Sequence, residues 1–218
     1  MLFFRNKMGC SSLKPSRISL TKSNLRQRMC NVVEEKRPFR RITYQNVPTK
    51  KNCILGSSLV FGCFLRDAVT ISCPGGVIAT MCTNQIMKEL RIFGVKNVIV
   101  MAGTNNLFDK ENKRLMGPVE TSDEMHYLIT KLQFEGFNVG IMRLISRKGK
   151  HETIHKVNSC YVDVADELNV PFFNQKRFRY RKHISSDKLH PAPEHCRELA
   201  LDFLDGFKVL EKRTRFRC

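Results

Sequence analysis

The fold of this chain is decided by a short stretch, Cys53-Ile54-Leu55-Gly56-Ser57-Ser58-Leu59-Val60. An apolar run breaks there at small residues and resumes at once as a helix-like pattern, which predicts a strand that turns directly into a helix. In doubly wound α/β sheets, ligands bind at the carboxyl ends of the strands, close to the free N–H groups of the following helix. Ser58, in the turn, is therefore the first candidate functional residue.

From residue 52 onward, short apolar strands alternate with helical patterns, which is typical of βαβ units around a parallel sheet. The strongest strand is the continuous apolar run 97–102, of the kind that is buried on both faces of such a sheet. We expect five strands that end near residues 56, 73, 102, 144 and 173. We expect helices at about 58–69, 77–93, 122–135, 152–169 and 193–212.

Charge divides the 218 residues unevenly. The chain has 38 Lys and Arg against 20 Asp and Glu, and residues 1–51 hold thirteen of the basic residues with only two Glu. We expect residues 1–50 to form a flexible basic N-terminal arm, 51–212 a folded domain and 213–218 a basic C-terminal tail. The arm is either a solvated tail or a contact surface for a polyanion such as nucleic acid, through its phosphates.

The cysteines and the hydropathy pattern concern the environment of the protein. The nine Cys form no CxxC pair, and several fall in predicted core elements, so we expect reduced, buried thiols in an intracellular protein, cytoplasmic or nuclear. No stretch approaches the ~18 apolar residues of a membrane span. We therefore expect a soluble protein without a membrane span.

Polar and small residues follow three of the predicted strands, namely Ser58, Gly75 and Asn105, and Asp187 and His190 precede the last helix. A serine hydroxyl needs a base, an imidazole base needs an orienting partner, and a developing oxyanion needs donors. We assign His190 as the base and Asp187 as its partner. The oxyanion donors would be the backbone N–H groups of Ser58 and Gly75 and the Asn105 side-chain amide. Each residue alone has a simpler explanation as a cap, a turn or a surface pair; together they predict a hydrolytic site.

Four segments in this order resemble the conserved blocks of the SGNH (GDSL-type) hydrolases: Ile54–Leu59, Pro74-Gly75, Gly103–Asn106 and Asp187–Pro191. The resemblance implies a flavodoxin-like, three-layer α/β/α sandwich with about five parallel strands. It implies hydrolysis of a small-molecule ester with a small to medium acyl group through an acyl-enzyme on Ser58, without a metal or other cofactor. A less specific resemblance is to the esterase-like SGNH domains of animal retrotransposons and their host relatives.

Two positions depart from the family pattern. Ser57 stands where the family usually has Asp, and Asn106 where it often has Asp. The family Asp before the nucleophile is thought to hold the geometry of the site, so Ser57 predicts reduced efficiency. The alternative function is therefore a catalytically weak or inactive SGNH-like adaptor that binds nucleic acid or a protein partner.

A second basic segment lies between the last strand and the last helix. Its cations are Lys176, Arg177, Arg179, Arg181 and Lys182, with Phe178 and Tyr180 interleaved. The segment is either a solvated loop or a polyanion-binding surface on which the aromatic rings stack bases. We expect the loops 107–118 and 147–151 to line the mouth of the site.

A metal-binding motif also occurs in the chain. The residues His151, Glu152 and His155 match His-Glu-x-x-His, in which two His one helical turn apart bind zinc. The motif follows the cationic segment 147–150, which disfavours a dication, and no obvious third ligand is found. We interpret the match as accidental and predict no metal site.

Overall fold

A six-stranded sheet forms the centre of the computed structural model, which describes residues 42–44, 50–108, 115–187 and 190–215. The strand order is β1-β3-β2-β4-β5-β6. Strands β2 to β6 run parallel, and β1 pairs antiparallel with β3 at one edge. The strands are β1 Ile42–Tyr44, β2 Asn52–Ser57, β3 Ala68–Cys73, β4 Asn97–Met101, β5 Asn138–Met142 and β6 Phe172–Phe173. The five parallel strands have the flavodoxin-like order, which confirms the predicted fold class.

Helices cover this sheet. They are α1 Ile78–Met81, α2 Asn84–Ile92, α3 Thr104–Leu107, α4 Pro118–Phe134, α5 His151–Glu167, α6 Tyr180–His183 and α7 Cys196–Arg215, with 3-10 turns at Ser58–Val60 and Pro193–His195. Helices α4 and α5, which follow successive parallel strands, pack against each other in one layer. Helix α7 packs on β4 and β5 as the third layer. Every residue of β2, β3 and β4 is buried, because both faces of these strands are covered.

The predicted helix over 58–69 is wrong. The chain makes only the 3-10 turn Ser58–Val60 and then loops into β3. Gly62 adopts a φ of 97°, which a continuing helix does not permit. The loop is fixed instead by Thr70, whose hydroxyl donates to the Cys63 carbonyl at 2.6 Å.

The boundaries of three other helices differ from those predicted. The segment 77–93 forms two helices, because Thr83 caps α2 by accepting the Ile86 N–H at 3.4 Å. Helix α4 begins at Pro118 rather than near 122, since proline suits the first turn. Helix α7 continues to Arg215, beyond the expected end at 212.

The predicted basic arm lies largely outside the described residues. Of residues 1–50, the structure describes Ile42–Tyr44, which form β1, and Lys50. The expected arm therefore contains one strand of the sheet. Its role in binding stays a prediction.

Six cysteines lie in the described ranges, and all are free thiols. Cys53, Cys63, Cys73 and Cys82 are buried, while Cys160 and Cys196 are partly exposed. Burial raises the pKa of Cys53, Cys63 and Cys82 far above the usual thiol range.

No helix in the described ranges has the length and apolarity to cross a membrane.

Candidate active site

Ser58 is presented at the carboxyl end of the central strand β2, as predicted. The strand ends at Ser57, and Ser58 opens the 3-10 turn. The glycine before this pair is required by close packing: a Cβ at Gly56 would lie 2.5 Å from the Met101 carbonyl oxygen and 2.8 Å from Val60 Cγ1. Gly56 thus allows Val60 of the turn to pack closely on β2, and allows β4 to approach on its other side.

The side chains of Ser58, His190 and Asp187 form one continuous chain of hydrogen bonds. Ser58 Oγ lies 2.9 Å from His190 Nε2, and His190 Nδ1 lies 2.6 Å from Asp187 Oδ2. A carboxylate only accepts, so the Nδ1 position carries the proton and Nε2 accepts from the serine hydroxyl. This tautomer is the one that a general base for Ser58 needs.

Asp187 and His190 are held by a tight loop between α6 and the second 3-10 turn. Ile184 and Pro191 form an isolated β-bridge, and the Ser185 N–H donates to the His190 carbonyl at 2.8 Å. Asp187 Oδ1 accepts from the His190 N–H at 3.0 Å and from the Ser185 hydroxyl. Both carboxylate oxygens of Asp187 are therefore engaged, and one of them orients the imidazole. The role of Ser185 escaped the sequence analysis, although Ser and Asp are both common turn residues.

The two remaining loops of the predicted site follow β3 and β4, the strands on either side of β2. Gly75 has a φ of 70°, and a Cβ built there meets nothing within 4 Å. Glycine is therefore favoured at position 75 by the backbone conformation and not by close packing. Asn105 donates through Nδ2 to the Gly76 carbonyl at 3.0 Å. This bond joins the loop after β4 to the loop after β3, at the edge of the sheet where Ser58 lies.

Ser57 and Asn106, which replace family aspartates, are both buried. Ser57 Oγ has no hydrogen-bond partner among the described residues, and the Ser57 carbonyl accepts from Ser72 Oγ at 3.0 Å. Asn106 accepts the Ile78 N–H at 3.0 Å and donates to Glu124 at 2.5 Å. The position of Ser58 thus rests on strand pairing and the Ser72 bond. Nothing in the sequence pointed to Glu124 as the partner of Asn106.

The two loops expected to line the mouth contact each other. Lys150 Nζ lies 4.8 Å and Arg147 Cζ 5.8 Å from the centre of the Phe108 ring. Burial lowers the pKa of Arg147, and the negative charge of the nearby Asp187 opposes that change. Arg147 therefore lies close to both Phe108 and Asp187.

The structure divides the second basic segment into two parts. Arg177 pairs with Asp205 at 2.5 Å, and the buried Asp202 accepts the backbone N–H groups of Lys176, Arg177 and Phe178 at 3.0–3.2 Å. Phe178 is only 5% exposed, so the expectation that its ring stacks bases is wrong; its ring packs in the core instead. Arg179, Arg181 and Lys182 line a groove.

The three residues of the His-Glu-x-x-His match, His151, Glu152 and His155, line a cavity of about 440 Å³. His151 Nδ1 lies 2.8 Å from Ser146 Oγ, and Glu152 pairs with Lys156 at 2.6 Å. Within the described ranges, no group of three or more His, Cys, Asp or Glu side chains is arranged to hold a metal ion.

The sheet order and the Ser58-His190-Asp187 geometry together define a doubly wound α/β protein with a candidate serine-hydrolase site at the topological switch point. No protein-family model matches the sequence, and no curated protein is significantly similar to it.

Solved structures do match the chain. A GDSL-like lipase from Bacteroides thetaiotaomicron superposes with a TM-score of 0.58 at 15% identity, covering 75% of this chain and 89% of the lipase. A putative acylhydrolase from Bacteroides fragilis gives 0.60 at 14% identity, covering 77% and 92%. A carbohydrate acetylesterase from Sinorhizobium meliloti gives 0.56 at 15% identity, covering 74% and 100%. The chain therefore has the SGNH (GDSL-type) hydrolase fold.

Proposed function

We propose that this protein is a serine esterase that hydrolyses an ester with a small to medium acyl group through an acyl-enzyme on Ser58. The observation that carries the proposal is the hydrogen-bonded chain from Ser58 Oγ through His190 to Asp187. The fold supports it, since the matching structures are named lipases, acylhydrolases and esterases.

In the first half-reaction, Ser58 Oγ attacks the ester carbonyl carbon while His190 Nε2 takes the hydroxyl proton. The ester C–O bond then breaks, and His190 returns the proton to the leaving alcohol. Water next attacks the acyl-enzyme with His190 again as the base, which releases the acid and restores the Ser58 hydroxyl. Asp187 holds the imidazole and stabilises its charged form.

The tetrahedral intermediates need donors for their oxyanion. The backbone N–H groups of Ser58 and Gly75 and the Asn105 amide would supply them, each worth on the order of 3 kcal/mol when well aligned. In the structure the Asn105 amide donates to the Gly76 carbonyl. That bond keeps the amide at the edge of the sheet between the loops of β3 and β4, and its second N–H remains available for the oxyanion.

Ester hydrolysis tests the proposal directly. We expect the full chain to hydrolyse 4-nitrophenyl acetate and Ser58→Ala to lose at least about a thousand-fold in kcat, the loss expected when a triad member is removed. Ser159→Ala, at an exposed position of α5, is the matched control and retains activity. A fluorophosphonate probe should label Ser58 alone. Equal rates for the full chain and Ser58→Ala would reject the esterase.

A second candidate function is an SGNH-like adaptor that binds nucleic acid. It is favoured by the formal charge of +18 and by Ser57 in place of the family Asp. Its signature is salt-sensitive binding of single-stranded RNA that is lost when residues 1–41 are removed, a deletion that leaves β1 in place. RNA binding that survives this deletion would exclude the arm as the contact.

A further inference from the structure

Two histidines outside the hydrogen-bonded chain of Ser58, His190 and Asp187 flank the loop that carries the base. His183 ends α6, and His195 ends the second 3-10 turn. Their rings stack, with centroids 4.3 Å apart and planes inclined by 27°. We propose that these stacked rings, the histidine clamp, position the loop of Asp187 and His190 for the reaction at Ser58. The inference rests on the proposed esterase function and adds two positioning residues to it.

Backbone hydrogen bonds connect the histidine clamp to this loop. The Ala192 N–H donates to the His183 carbonyl at 2.9 Å, and the His195 N–H donates to the Ala192 carbonyl at 2.8 Å. Ala192 is buried and lies two residues after His190. The loop therefore begins directly after one histidine of the clamp, and its far end is bonded to both. A separation of the two rings would shift the backbone that leads to His190.

The His183 ring is fixed by the core of the protein. It packs edge-to-face with the Phe178 ring at a centroid distance of 5.5 Å, a geometry that aromatic pairs prefer. Phe178 is buried, and its N–H donates to Asp202 of α7 at 3.0 Å. His183 Nδ1 accepts the Arg179 N–H at 3.1 Å, which orients the imidazole. His183 is thus held in place, and His195 stacks on it.

Cys196 extends the contacts of the clamp to the nucleophile. Its Sγ donates to the Ala192 carbonyl at 3.6 Å, and a Cβ built at Gly62 would lie 3.0 Å from this Sγ. Gly62 belongs to the loop that follows Ser58. The start of α7 therefore contacts both the loop of the base and the loop after the nucleophile. The 2.9 Å distance from Ser58 Oγ to His190 Nε2 depends on how these two loops are placed.

The two imidazoles act on the reaction through the backbone. In the part of the chain that the structure describes, their polar and ring-stacking contacts are with each other, Phe178, Arg179 and Glu198, whose carboxylate lies 3.7 Å from His195 Nδ1. A misplacement of about 1 Å at reacting atoms can lower a rate about a hundred-fold, so the placement of the loop is sufficient to control turnover. His183 and His195 are therefore positioning residues rather than catalytic residues.

Removal and replacement of one ring test the histidine clamp. We expect His195→Ala to lower kcat for 4-nitrophenyl acetate at least about ten-fold with KM within about two-fold, because the loop is displaced while the contacts to the substrate remain. His195→Phe keeps an aromatic ring for the stack and should retain kcat to within about three-fold. His155→Ala, at an exposed histidine of α5, is the matched control and should match the full chain.

Three results would overturn the proposal. They are an unchanged kcat in His195→Ala, a rise in KM without a fall in kcat, and a His195→Phe variant as slow as His195→Ala. Urea unfolding at pH 7 checks that each variant is folded. If His195→Ala does not fold, His195→Gln, which also lacks an aromatic ring, takes its place.

Hydrogen exchange, measured by mass spectrometry of peptides at one pH, tests the clamp without any hydrolysis. The Ser185 N–H donates to the His190 carbonyl and the Ala192 N–H to the His183 carbonyl, so both report how often the loop opens. We expect both N–H groups to exchange at least about three-fold faster in His195→Ala, as the loss of one aromatic pair implies, and at the original rate in His195→Phe. Equal exchange in His195→Ala and the full chain would overturn the proposal.

The two measurements separate failure of the esterase from failure of the clamp. If the full chain hydrolyses no ester while His195→Ala still speeds exchange in the loop, the esterase fails and the clamp stands as the contact that holds the loop. If the full chain hydrolyses the ester and His195→Ala changes neither kcat nor exchange, the clamp fails and the esterase stands.

Discussion

At the residue scale, the two departures from the family pattern have different consequences. Ser57 leaves a buried hydroxyl without a partner among the described residues, which is costly by about 1–3 kcal/mol, whereas Asn106 is fully engaged with Ile78 and Glu124. An amide at 106 donates to the Glu124 carboxylate, which an aspartate there would repel. Asn106 is therefore suited to its neighbour Glu124, to which an ionised aspartate could not donate a hydrogen bond.

Asn106→Asp tests this interpretation. The change places two carboxylates within hydrogen-bond distance in a buried site, so we expect a loss of about 2 kcal/mol in the free energy of unfolding, measured by urea denaturation at pH 7. The double variant Asn106→Asp/Glu124→Gln provides a new amide donor and should recover most of the loss. A single variant as stable as the original chain would contradict the assignment.

Gly103 is a second position where one residue type is required. Its φ is 124°, and a Cβ there would lie 2.2 Å from the Tyr161 hydroxyl oxygen, which bonds the Ala102 carbonyl at 2.9 Å. We expect Gly103→Ala to lower the free energy of unfolding by at least about 3 kcal/mol, because strain and overpacking add. Gly136→Ala, at a φ of 87° with open space around it, is the matched control and should cost only about 1 kcal/mol. Equal losses of stability in the two variants would show that backbone strain, and not the contact with Tyr161, causes the effect.

At the element scale, helix α7 holds the segment that precedes α6 and the loop of Asp187 and His190. Asp202 on α7 is 4% exposed and accepts three consecutive backbone N–H groups, those of residues 176–178. This contact fixes where the chain enters α6. A helix that is distant from this segment in sequence thus positions it.

Asp202→Ala should therefore lower the stability of the protein. Removal of the acceptor leaves three N–H groups without their partner, so we expect a loss of about 2–4 kcal/mol in the free energy of unfolding. Asp205→Ala, at a more exposed carboxylate of the same helix, should cost less than about 1 kcal/mol. Thermal or urea unfolding of both variants measures these changes in stability. Losses of similar size in the two variants would contradict a special role for Asp202.

At the scale of the whole molecule, the central strands β2, β3 and β4 are buried on both faces, and several thiols lie in this core. Cys53 and Cys73 lie on β2 and β3, and Cys63 lies in the loop between them. Burial raises the pKa of Cys53 and Cys63, so these thiols stay protonated at neutral and mildly alkaline pH. A reagent that modifies thiolates reaches Cys53 and Cys63 only when the sheet opens.

Alkylation with iodoacetamide at pH 8 should show this pattern. We expect native protein to be labelled slowly, if at all, at Cys53, Cys63 and Cys82, and rapidly at the same residues in denaturant, as read by mass spectrometry of peptides. The partly exposed Cys160 and Cys196 are the internal comparison and should react before these three buried thiols. Rapid native labelling of Cys53 would show that the sheet is less closed than the structure indicates.

Much of the fold follows from the sequence by itself. The alternation of apolar strands and amphipathic helices predicts a doubly wound sheet. The spacing of apolar residues along a strand or helix shows whether one face or both faces of it are buried. The small residues at the strand ends likewise mark the site, since parallel strands bring their carboxyl ends to one edge. Ser58, His190 and Asp187 were identified in this way.

Only the tertiary structure decided how these residues meet and what surrounds them. The bond between Ser58 and His190 joins residues 132 positions apart, and the loop after Ser58 is set by its contacts with β2 and β3, including the Thr70 bond to the Cys63 carbonyl, rather than by helix propensity. Asp202 pairs with Arg177, whereas Arg179, Arg181 and Lys182 line a groove with residues 146 and 151. Contacts of this kind depend on the distances between elements that the chain brings together, and a linear pattern of residue types does not contain those distances.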